Sequence, residues 1–167
     1  MWPLFCLPHE RPRPILQAEF FRITQHKESD NMDAYAINYW AVLVAGLAYT
    51  ILGAIWYSAA LFGNAWMQAI GKTKEQIQAD FSPLNILWAF IGSLIAAYGI
   101  ARILGWVGTF TIGWGVIVGL LAAICFVVVS MGVNDLFERR PLKLYLMNVC
   151  YHIVAFVIMG IIIGVWR

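Results

Sequence analysis

Four stretches of the chain, residues 38–62, 83–104, 110–133 and 144–166, run long with almost no charge. A helix crosses the hydrocarbon core of a bilayer in about 20 mostly apolar residues, and charged side chains are penalised there, so these stretches are expected to span a membrane. The one charged residue inside them is Arg102, in the last turn of the second stretch, where a long side chain snorkels to the headgroups. Composition agrees: 62% hydrophobic and 12% charged residues leave more apolar surface than a soluble globule can bury. The expected fold class is an all-α integral membrane protein, a four-transmembrane-helix bundle with short loops and a short interfacial helix in loop one.

Residues 1–31 differ from the rest, with Pro3, Pro8, Pro12 and Pro14 among charges of both signs. They read as a poorly ordered leader without a cleavable signal, because prolines and charges interrupt each apolar run before Ile15. Met32 stands just ahead of the first span, so translation is expected to begin there, with residues 32–167 forming a single transmembrane domain.

In loop one, Gly63 is expected to break the first span, and residues 64–70 keep Trp66, Met67 and Ile70 on an interfacial face. Thr73 with Gln76 fits a capping box, and Ser82 before Pro83 fits the start of the second span. The second connection, residues 105–109, is so short that spans two and three must be antiparallel. In loop three, Asp135 is spaced to pair with Arg139, and Pro141 suits the opening of span four. Loops one and three share a side and carry Lys72, Lys74, Arg139, Arg140 and Lys143 against Arg102 and Arg167 opposite, which makes that side cytoplasmic and puts both termini outside. The leader's Arg11, Arg13, Arg22 and Lys27, if present, remove that asymmetry.

Helices in lipid associate through small residues. Gly115 with Gly119, Gly160 with Gly164, and Gly92 with Ala96 and Gly99 give spans three, four and two such seams, which seat the four helices together or form a dimer face. Cys6, Cys125 and Cys150 read as packing residues, and Trp40, Trp56, Tyr57, Trp66, Trp106, Trp114 and Trp166 as interfacial anchors.

Ser58, Asn85, Ser130, Asn134, Tyr145 and Asn148 gather toward loops one and three. Tyr145, Asn148 and His152 share a face of span four, and Ser130 with Asn134 makes a stripe on span three. Facing each other, they would line a cleft with His152 as its floor. Two readings of His152 stand side by side: a ligand site, or a hydrogen bond that fixes the bundle. No nucleophile with a base, no carboxylate pair, no phosphate-cradling glycine loop and no basic patch with interleaved aromatics appears, which argues against common hydrolases, nucleotide-dependent enzymes and nucleic-acid binding. His152 lacks a second ligand at metal spacing, so neither a metal nor a cofactor is expected.

The run NYWAVLVAGLAYTILGAIWYSAALFGNAWM at 38–67, with NDLFERRPLKLYLMNVCYH at 134–152, resembles the bacterial membrane family called domain of unknown function 1761. The most specific pieces are Trp56, Tyr57 and Ser58 followed by Leu61, Phe62, Gly63 and Trp66, and the run from Asn134 and Asp135 into Asn148 and His152. Ala59 and Asn64 depart from the proline and lysine usual there, so the bend after span one is expected to differ. The resemblance implies a small four-helix protein of the bacterial inner membrane and no assigned activity. The expected function is non-enzymatic: a cleft containing Trp56, Tyr57, Ser58, Asn85, Ser130, Asn134, Asp135, Tyr145, Asn148 and His152 binds or passes a small molecule, ion or lipid. The alternatives are an accessory subunit of a membrane complex and a haem- or redox-associated protein using His152. The expected partners are the lipid bilayer and further copies of the chain, as a homodimer or higher homo-oligomer.

Overall fold

The structure, a computed structural model, describes residue 19, residues 21–23 and residues 36–166. Residues 19 and 21–23 are helical and exposed, within a separate compact unit, Met1–Ala34. The remainder of the leader, with Cys6, lies outside the described residues, as does Met32. All four spans belong to the second unit, Tyr35–Arg167.

Span one is α1, Tyr39–Trp56. It starts where the Asn38 side chain accepts from the backbone N–H groups of Trp40 and Ala41, at 3.0 and 3.2 Å, satisfying donors that no helical carbonyl reaches. It ends six residues before the expected Phe62, in a bend where Phe62 N–H donates to Trp56 O and Gly63 N–H to Ser58 O. Gly63 therefore opens the next helix rather than breaking the first. A Cβ on Gly63 would stand 2.5 Å from Tyr57 O and 2.7 Å from Ser58 O, so only glycine fits. Asn64 Nδ2 donates to Ala59 O across the same bend.

Loop one then forms α2, Gly63–Ile70, and α3, Lys74–Ala79. The expected capping box is present: Gln76 N–H donates to Thr73 Oγ1 and Thr73 N–H to Gln76 Oε1, at 3.3 and 2.9 Å. Its own backbone N–H, and then the Thr73 hydroxyl, hold the Glu75 carboxyl below the usual carboxylate range. Span two is α4, Pro83–Val107. Pro83 occupies the first helical position, where a missing N–H costs nothing, but the Ser82 side chain makes no cap bond. The helix continues past Leu104 to Gly108, whose φ of 72° closes it.

Span three is α5, Ile112–Ala122, a π-helical stretch Ala123–Val128, and α6, Val129–Phe137. Span four is α7, Leu142–Val165. These four helices are each long and apolar enough to cross a membrane.

The tightest contact in the bundle is glycine on glycine. A Cβ on Gly115 would overlap the carbonyl of Gly160, and one on Gly160 that of Gly115, while Cβ atoms on Gly119 and Gly164 would stand 2.4 Å from the carbonyl oxygens of Phe156 and Thr111. The seams on spans three and four are thus one seam, joining α5 to α7 backbone to backbone. The third seam is not: a Cβ on Gly92 or Gly99 would meet no atom within 4 Å. Span two packs chiefly on α1, with spans three and four also beside it, and buries Ser93, Ala97, Ile100, Ala101 and Leu104. Ser93 is buried because its hydroxyl is satisfied by Phe90 O at 2.7 Å and Gly46 O at 3.1 Å. The main core cluster, Val42, Ala45, Ala97, Ile100, Ala101, Leu104, Val118, Met159 and Ile163, lies in the half of the bundle away from loops one and three, while Leu144, Met147, Val149 and Tyr151 are buried on α7 toward those loops. Cys125 and Cys150 are exposed on the bundle surface rather than packed.

Candidate functional site

The other half of the bundle is held by hydrogen bonds and rings. On α7, Asn148 and Tyr151 to His152 recur at helical spacing and face α1, where Tyr49, Gly53 and Trp56–Tyr57 form the matching face. Tyr57 Oη donates to Asn148 Oδ1 at 2.9 Å. Tyr49 Oη and His152 Nδ1 are 3.0 Å apart; whichever atom carries that proton, Nε2 takes the complementary role. Tyr151 Oη donates to the Tyr49 carbonyl at 3.2 Å, a contact that Gly53 permits, since a Cβ there would stand 3.0 Å from the Tyr151 hydroxyl.

The rings interlock as well. Tyr151 lies edge-on to Tyr49 and Tyr57, with centroids 5.3 and 5.4 Å away, and Tyr57 in turn meets Trp66 of α2 at 5.6 Å. Trp56 packs on Phe62 at 4.8 Å. Trp56, Tyr57 and Trp66 are therefore members of a packed cluster and not lone interfacial anchors. Trp40, Trp106, Trp114 and Trp166 are exposed, and Arg102 sits over the Trp106 ring at 5.7 Å.

The polar cluster thus runs between spans one and four, and this corrects the expected cleft between spans three and four. Ser130 and Asn134 are exposed on α6, and Tyr145 turns to span three for a different reason. Its hydroxyl donates to Val128 O at 3.1 Å, over Gly132, where the π-helical stretch ends. A wide turn shifts the regular i→i−4 pattern and leaves a carbonyl for such a side chain. Ser58 serves the bend after α1 through its carbonyl, and Asn85 lines a separate hollow beneath loop one. Asp135 does not pair with Arg139. Helix α6 ends at Phe137, Arg139 adopts φ 53°, and the carboxylate instead lies 3.8 Å from Arg140 Nε.

Each of the two central side chains gives one atom to a tyrosine and keeps another. Asn148 Nδ2 and His152 Nε2 have no hydrogen-bond partner among the described residues. Asn148 and His152 are half-buried; the fully buried side-chain atoms without a partner among the described residues are Trp56 Nε1 and Asp135 Oδ2. By helical rise, Asn148 lies about 9 Å and His152 about 15 Å along α7 from Leu142, the second near mid-bilayer depth. Among the described residues no group of three His, Cys, Asp or Glu side chains could hold a metal ion. Residue spacing failed to identify Tyr49, Tyr151 and Gly53, although Tyr49, Gly53 and Trp56 share a helix face with a gap at the glycine.

Four apolar crossings, a glycine seam and a polar seam inside one half define a four-span, all-helical membrane protein. Residues 40–164 match the family model described as protein of unknown function (DUF1761), and the chain belongs to that family. Neither a curated protein nor a solved structure matches it.

Proposed function

We propose that this protein is a non-enzymatic receptor of the membrane, which takes the polar end of a small lipid-soluble molecule into the seam between α1 and α7 from the side of loops one and three. The observation that carries this reading is the pair of leftover groups, Asn148 Nδ2 and His152 Nε2, beside side chains whose other atoms are tied to Tyr57 and Tyr49. A polar group left unmatched in hydrocarbon costs several kcal/mol, on the order of 2–7 by transfer measurements. A hydrogen-bonding ligand removes that cost, and the tyrosines hold both side chains in place before it arrives.

Native mass spectrometry of protein released from mild detergent tests the reading. The expected result is a defined small-molecule adduct on the wild type that is lost in Asn148→Ala and His152→Ala. Bare wild-type protein, or an adduct that both variants keep, refutes it. A porphyrin mass with visible absorbance that vanishes in His152→Ala would assign the free imidazole nitrogen to iron instead.

A further inference from the structure

Between α2, α3 and the first turns of α4 and α7 lies a hollow of about 590 Å³, apart from the seam. Trp66, Ile70 and Leu144 contribute an apolar wall, and Lys72, Asp80 and Arg140 contribute charge. Its walls are the points where spans two and four begin, so it opens at the headgroup level of one leaflet.

The two cations differ in what they have left. Lys72 is taken by Asp80, with Nζ 2.7 Å from Oδ2. Arg140 donates from Nε to Glu138, and its Nε lies 3.8 Å from Asp135 Oδ1. Its two terminal amino groups make no hydrogen bond among the described residues, and they form the planar pair of donors that matches two phosphate oxygens. An anion on this fork would have hydrocarbon beside it, which a soluble phosphate does not want and a lipid does.

We propose that the hollow is a phospholipid site: Arg140 binds the lipid phosphate, and an acyl chain lies against Trp66, Ile70 and Leu144. The site meets the α1–α7 seam only through Trp66, whose ring packs on Tyr57, and the two share no hydrogen-bonding group, so either can fail without the other.

The test is native mass spectrometry from nanodiscs of mixed phosphatidylethanolamine and phosphatidylglycerol. The wild type should retain phospholipid under activation that strips the surrounding lipid. Arg140→Gln removes a charge-assisted hydrogen bond worth roughly 1.5–3 kcal/mol, so the retained fraction should fall about tenfold or more. Ala69→Trp, which fills the hollow and leaves every charge in place, should do the same. Lys143→Gln, outside the hollow, and Asn148→Ala, in the seam, should keep the lipid. Wild-type retention in both Arg140→Gln and Ala69→Trp overturns the proposal. So does an adduct of inorganic phosphate that displaces the lipid, which would make the site one for a soluble anion.

Discussion

Gly115 and Gly160 meet so closely that the smallest side chain on either runs into the carbonyl of the other. Relief requires two backbones to separate, and overpacking of this kind costs about 1–3 kcal/mol, occasionally more. Gly115→Ala and Gly160→Ala should each lower the melting temperature in detergent. Gly92→Ala and Gly99→Ala should leave it unchanged or raise it, because their Cβ atoms meet nothing and alanine favours a helix interior by roughly 0.5–1 kcal/mol. Both kinds of glycine look alike in a sequence of small-residue spacings; the partner backbone alone separates them. Arg139 is the converse case, a side-chain-bearing residue at φ 53° at the helix end, where glycine is the usual occupant. Arg139→Gly should raise stability by up to about 1 kcal/mol, measured by the same melts; a loss would show that the arginine side chain holds loop three.

At the level of elements, span three is the least regular. Its wide turn over Ala123–Val128 has no proline or glycine to announce it, and in the sequence it is simply the middle of an apolar run. Tyr145 supplies the bond that the turn leaves over. Tyr145→Phe should destabilise the protein by about 0.6–1 kcal/mol, and amide exchange should rise in residues 126–133 more than in α4. Equal exchange in both would mean that the π turn holds itself. The spans were legible because charge is excluded from them for long runs, and the capping box because both of its partners lie in one turn. The end of α1 was not: the bend at 57–62 is made of backbone hydrogen bonds and a crowded Gly63, on residues as apolar as the helix before them.

Over the whole unit, the two halves of the bundle are stabilised differently. The half away from loops one and three holds the main apolar core, whereas the other half adds to buried Leu144, Met147 and Val149 a network of tyrosines, Asn148 and His152. The one-sided polarity was legible in the sequence from Ser58, Asn85, Ser130, Asn134, Tyr145 and Asn148, which all fall toward loops one and three. Which helix the residues of α7 face was not, because α7 presents polar atoms on two sides: Tyr145 goes to span three, and Asn148 and His152 go to α1. Tyr57→Phe leaves Asn148 Oδ1 without its donor, and should cost about 1 kcal/mol in detergent melts while weakening any adduct in the seam. The most direct test of the polar seam is the ¹⁵N spectrum of His152 in lipid nanodiscs. One fixed tautomer is expected, set by the Tyr49 hydroxyl on Nδ1, and it should collapse to a tautomer average in Tyr49→Phe; an averaged imidazole in the wild type, or a spectrum indifferent to Tyr49→Phe, would contradict the seam.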